Sequence, residues 1–204
     1  KKLAGGFATR GHDVLVGTRT PGNPDLVQWA TTVNGKIALA SFANAARHGE
    51  IVVLAVRGAA ALTTLETVGA DPLSGKILID ATNPLDGSEG APSLLFVGTT
   101  DSLGERVQRA VPGAKVVKAF NASPGSQMVD PHVTGQPRLE LLIAGNDTNA
   151  KQKVTEIVQS FGWSGTVDVG GIEGARWLEA AVPLWVLVGR ALGTYSHVLV
   201  FGRD

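Results

Sequence analysis

Cysteine is absent from this chain of 204 residues, which excludes disulfides, thiolate nucleophiles and cysteine-ligated metal. No sign of charge is in excess, since 18 lysines and arginines balance 18 aspartates and glutamates. The basic field that nucleic acid or an anionic membrane surface requires is therefore missing, and neither is expected as a partner. A long uninterrupted apolar run is lacking too. The longest candidate, Leu178 to Phe201, is broken by Pro183, Arg190 and His197, which are costly at mid-bilayer and ordinary in a buried helix. The start of the chain has no basic segment followed by an apolar one. A cytoplasmic protein without a membrane span is expected.

What is present is an alternation. Short β-branched runs recur at Asp13–Val16, Lys36–Leu39, Ile51–Val56, Lys76–Ile79, Lys115–Phe120, Leu139–Ile143 and Thr166–Asp168. Several are continuously apolar, as strands covered on both faces are. Helical patterns fill the intervals. Ser102-Leu-Gly-Glu105 is a capping box, and Asp147 caps a segment whose Val154, Ile157, Val158 and Phe161 share one face before Gly162 stops it. The reading is an α/β fold, a doubly wound and mostly parallel sheet over residues 1–145. A small extension, a strand and two helices, follows over 146–204. The helices are expected at Glu173–Ala181 and, with Pro183 in its first turn, Val182–Leu199. The second is apolar nearly all round, so it needs a cover, and a second copy of the chain packed through these helices would supply one.

The first ten residues read as a helix, followed by a turn at Gly11 and the strand Asp13–Val16. That is the second half of a dinucleotide-binding βαβ unit. Its first half, a strand and the G-x-G-x-x-G loop that holds a pyrophosphate, is absent from the sequence and is expected upstream of Lys1. The strand after the helix ends Val16-Gly-Thr-Arg-Thr20. An NAD enzyme carries an acid here for the ribose 2′-hydroxyl, whereas an NADP enzyme offers donors. Arg19 can give the 2′-phosphate a charged fork and Thr18 a neutral hydroxyl, so NADP(H) is the expected cofactor.

Five stretches in order, Gly11–Arg19, Ile51–Val56, Asp80-Ala-Thr-Asn-Pro-Leu85, Val116–Asn121 and Gly174-Ala-Arg-Trp-Leu-Glu179, resemble the NADPH:8-hydroxy-5-deazaflavin (coenzyme F-420) oxidoreductase family. The resemblance spans nearly the whole chain. It implies a Rossmann core, NADP(H) as cofactor, coenzyme F-420 as co-substrate, hydride exchange between them, and a homodimer. Arg57-Gly58 departs from the proline-containing turn of that family.

In an open α/β sheet, ligands lie outside the carboxyl ends of the strands, where the loops from Ala55, Thr82 and Asn121 converge. Small Ala55 and Val56 allow close approach of a cofactor, with Asn83 and Pro84 beside them. Asn121, Ala122 and Ser123 are the candidate substrate loop. No side chain is assigned as catalytic and none as a metal ligand, because hydride transfer between stacked rings asks the protein for geometry more than for an acid or base. The tyrosine–lysine pair of short-chain dehydrogenases is missing, since Leu199 stands four residues after Tyr195. Imine-reducing enzymes continue into a long helical domain, for which the roughly sixty residues after Leu142 leave no room. The alternatives are an NADPH-dependent flavin or metal reductase and a non-catalytic NADP-binding sensor.

Overall fold

The computed structural model describes residues 1–86, 94–131 and 139–198. In chain order the elements are α1 (Lys2–Ala8), β1 (Val14–Gly17), α2 (Pro24–Thr32), β2 (Ile37–Ala40), α3 (Phe42–His48), β3 (Ile51–Leu54) and α4 (Ala61–Val68). There follow β4 (Ile77–Asp80), α5 (Leu103–Ala110), β5 (Lys115–Lys118), β6 (Glu140–Gly145), α6 (Thr148–Ser160), β7 (Gly165–Asp168) and α7 (Ala175–Leu192). Every strand expected from the β-branched runs is present, shifted by a residue or two at its ends.

The strands form two sheets. One is the parallel pair β1–β2; the other has the order β3-β4-β5-β6-β7, parallel except where β6 runs against β5. Alternation across the pleat builds two cores. Ile79 of β4 and Val117 of β5 face a cluster with Ile143, Val154, Val158 and Phe161 from β6, α6 and the turn after α6. Their neighbours Leu78 and Val116 face the opposite layer, with Leu65 of α4 and Leu103 and Val107 of α5. Both faces of the larger sheet are thus covered, which is why its strands read as unbroken apolar runs.

The expected caps are formed. The Ser102 hydroxyl accepts from the Glu105 N–H at 3.0 Å and donates to the Glu105 carboxylate at 2.8 Å, while Asp147 accepts from the Ala150 N–H at 2.7 Å. The C-terminal segment differs from expectation. Instead of two helices parted before Pro183, one helix runs through it from Ala175 to Leu192. Pro183 cannot donate to the Glu179 carbonyl. Neighbouring turns hold the helix across that one missing bond, because Leu178, Glu179, Val182 and Gly189 lie buried along one side of it. Gly193, with φ 67°, ends it in a left-handed turn in which the Thr194 N–H reaches the Gly189 carbonyl. The expected extension to Leu199 passes beyond this stop, and Leu199 itself lies outside the described residues.

Candidate functional site

β3, β4 and β5 run in one direction, so their carboxyl ends share an edge, while β1 runs parallel to β2 in the smaller sheet. Thr18 follows β1, its N–H bonded to the Ala40 carbonyl at 2.9 Å, which extends the pairing with β2 by one step. Its hydroxyl accepts from the Thr20 N–H at 3.3 Å, fixing the turn. Arg19 comes next, exposed, and no ion pair or hydrogen bond engages its guanidinium among the described residues. The turn after β1 therefore presents a solvated cation with unused donors and no acid between Gly17 and Thr20.

The loops after β4 and β5 are held together by polar contacts. Asn83 donates through Nδ2 to the Asn121 carbonyl at 2.7 Å, and Asn121 Nδ2 donates back to Asn83 Oδ1 at 2.9 Å. The second amide hydrogen of Asn121 goes to the Leu178 carbonyl of α7, also at 2.9 Å. Both donors of this nearly buried side chain are committed within the protein. Pro84 is buried and its carbonyl accepts from the Phe96 N–H at 2.9 Å. Ala55 is exposed and Val56 half-buried. Gly58 packs so tightly on the Asn83 carbonyl that a Cβ there would overlap it, which explains glycine at this departure from the family's proline turn. Ala122 and Ser123 are half-buried, and the Ser123 N–H reaches the Phe120 carbonyl at 3.2 Å.

Phe120, the hinge into this loop, has φ 65°, and no other non-glycine among the described residues has a positive φ. That conformation costs roughly 1–2 kcal/mol for an L-residue. It persists where surroundings over-determine it. The ring is buried against Phe161, and the Asn83–Asn121 pair anchors the next residue.

Beneath the loops lies a charged cluster that sequence reading did not single out as a site. Lys118 at the end of β5 is fully buried and its ammonium donates to Asp80 at 3.0 Å, Glu179 at 2.7 Å and the Thr82 carbonyl at 2.6 Å. The other Asp80 oxygen accepts from the Thr82 N–H at 2.9 Å and hydroxyl at 2.6 Å. Glu179 also accepts from the Leu103 and Gly104 N–H groups at the start of α5, both at 2.9 Å. The sequence carried no local signal for it: Lys118 is one of two lysines in Lys115-Val-Val-Lys118, and its partners Asp80 and Glu179 are remote in the chain. Above this cluster Arg176 makes a two-pronged bond to Glu105, at 2.8 and 2.6 Å. That bond, opposed by burial and helped by the Ser102 hydroxyl, holds the Glu105 carboxyl below the ordinary carboxylate range.

Beside Asn121 a cavity of about 50 Å³ is lined by Phe120, Asn121, Pro124, Leu141, Trp163 and Leu178. That is room for a few waters, so a planar ring system would rest over its mouth. A wider concavity of about 600 Å³ near Arg47 and Gly69–Pro72 opens at the opposite edge, where the strands begin, away from these loops.

Residues 1–84 match the family model described as NADP oxidoreductase, coenzyme F420-dependent. An F420-dependent NADP reductase of Methanothermobacter marburgensis is 30% identical over 192 residues, covering 90% of this chain and 84% of that one. The chain belongs to the F420-dependent NADP reductase family. A crystal structure from Arthrobacter sp. FB24, provisionally assigned as an F420-dependent NADP reductase, superposes with a TM-score of 0.94 at 39% identity, covering 99% of this chain and 94% of that one. A metalloreductase of Rattus norvegicus is 32% identical over 119 residues, which is 58% of this chain and 22% of that protein. The match to the reductase over 90% of this chain, set against 58% for the metalloreductase, favours the deazaflavin branch.

Proposed function

We propose that this protein exchanges a hydride between NADP(H) and the deazaflavin coenzyme F420. The observation that carries the reading is the uncommitted Arg19 guanidinium after β1, in a turn without an acid, within a chain of this family. Thr18 and Arg19 take the 2′-phosphate, the donor set suited to it. Ala55 and Val56 form the small-residue wall over which the cofactor lies, backed by the buried Pro84, and Asn83 borders its nicotinamide end. Asn121, Ala122 and Ser123 face the second ring. NADPH, when bound, supplies the hydride from nicotinamide C4, and the deazaflavin receives it at C5.

The protein's own part is orientation. Asn83 and Asn121, locked to one another, hold their loops at a fixed separation, and the apolar residues around Asn121 keep water from the reacting faces. In this reading residues 1–145 bind the nucleotide and 146–204 brace the site. No helix among the described residues is long and apolar enough to cross a membrane, and the reading places the enzyme in the cytoplasm. Two copies pair through α7, whose Trp177, Leu184 and Leu187 are at least half exposed along one stripe.

The test is an anaerobic assay of the full-length protein, following NADPH oxidation with F420 and, separately, with FMN. Turnover with F420 exceeding that with FMN by orders of magnitude is expected. Preference for FMN would move the assignment to a flavin or metal reductase, and tight NADPH binding without turnover on either would leave a sensor.

A further inference from the structure

We propose that Lys118, together with Asp80 and Glu179, is a positioning device that sets the distance between the two site loops. The inference rests on the hydride-transfer reading for its kinetic consequence, though not for its structural one. Lys118 has three ammonium hydrogens, and each has an acceptor on a different segment: Asp80 at the end of β4, the Thr82 carbonyl in the loop beyond it, and Glu179 in α7. The stem of the lysine leaves β5 only three residues before Asn121. One side chain thus ties the loop after β4, the loop after β5 and the bracing helix to a single point.

The cluster has no capacity left for a ligand. Both oxygens of Asp80 and both of Glu179 are occupied, the latter by Lys118 and by two N–H groups of α5. Two carboxylates and one ammonium leave a formal deficit of one positive charge. The N-terminal N–H groups of α5 supply partial positive charge to Glu179. Burying such a group is costly, and apolar residues of like volume commonly give equal or greater stability. Stability alone is a weak reason for it to be here.

What the cluster adds is direction. Charge-assisted bonds are short, and here three of them draw three separate segments to one ammonium, which apolar packing does not do. They end on Thr82, the residue before Asn83, and on Glu179, the residue after Leu178, whose carbonyl accepts from Asn121. The strained Phe120 sits between Lys118 and Asn121, so the cluster fixes one side of that hinge and the asparagine pair the other. Stacked-ring hydride transfer is sensitive to displacements of about 1 Å, which can cost about a hundredfold in rate. A clamp on loop separation acts on that quantity.

The test compares wild type with the triple variant Asp80→Asn, Lys118→Met, Glu179→Gln, which removes the charges and keeps the volumes. Amide hydrogen exchange is measured over residues 81–86 and 119–124, alongside kcat with F420 and the NADPH Kd. The expected result is a folded variant with exchange raised severalfold in those two segments and unchanged in α6. Its kcat should fall by about tenfold or more while the NADPH Kd stays within about twofold. Wild-type exchange in both segments, or faster exchange with wild-type kcat, would overturn the proposal. Should the triple variant fail to fold, Thr82→Val decides by the same three measurements, since it removes one bond to Asp80 and leaves every charge in place. A wild type that does not use F420 at all would sink the hydride reading. The exchange pattern would then still decide whether the cluster positions the loops.

Discussion

Arg19 stands exposed with no ionic partner among the described residues, so a bound 2′-phosphate would be its first strong contact. Replacing it with alanine in the full-length protein should weaken NADPH binding by roughly 1–3 kcal/mol and leave NADH nearly unchanged, as loss of a charge-assisted hydrogen bond does. Titration of both nucleotides against both proteins checks this, and equal losses would remove the 2′-phosphate assignment. Gly58 makes a second prediction at this scale. A methyl there overlaps the Asn83 carbonyl, so Gly58→Ala should lower stability by roughly 1–3 kcal/mol in thermal unfolding and disturb the loop after β4. The place of Arg19, exposed after β1, was legible from the sequence, because it depends only on where that strand ends. Gly58 and Lys118 were not, because their partners are remote in the chain: Asn83 for the first, Asp80 and Glu179 for the second.

The element whose ends carry most of the site's support is α5. Its N-terminus receives Ser102 and Glu179, its first turn holds Glu105 against Arg176 of α7, and Asp101 just ahead of it binds Arg106 and Arg109. Burial opposes ionisation of Asp101, but the two arginines and the Ser102 N–H outweigh it and hold its carboxyl at about 2. A carboxyl depressed in the folded state stabilises the fold above its unfolded pKa and loses that contribution as pH falls through the folded one. The Asp101→Asn variant should therefore be less stable than wild type at neutral pH, and the difference should close between about pH 4 and pH 2. Melting temperatures across that range check the sign. The strands and the caps of α5 and α6 were readable because their signals are local. Pro183 was misread as a helix start because the force that overrides it, burial of Leu178 and Val182 before it and of Gly189 after it, is tertiary.

For the whole molecule, two sheets and the two cores of the larger one leave α7 with one face on the body and another in solvent. Trp177 is 65% exposed, Leu184 54% and Leu187 50%. If this stripe joins two copies, Leu184→Glu with Leu187→Glu should convert a dimer into a soluble monomer in sedimentation. A wild-type monomer would send the stripe to another role. The β1–β2 pair and the β3–β7 sheet share no strand pairing among the described residues, and the account depends on one dinucleotide spanning the turn after β1 and the loops after β3 and β4. Its central claim is a direct passage of hydride from nicotinamide to deazaflavin. The measurement that tests it is single turnover with NADPH deuterated at C4 and oxidised F420, followed by mass spectrometry of the reduced coenzyme. The account predicts deuterium at C5 in one product per NADPH consumed, without dilution by solvent protons. Reduced coenzyme carrying only solvent hydrogen, or no reduced coenzyme while NADPH remains bound, would contradict it.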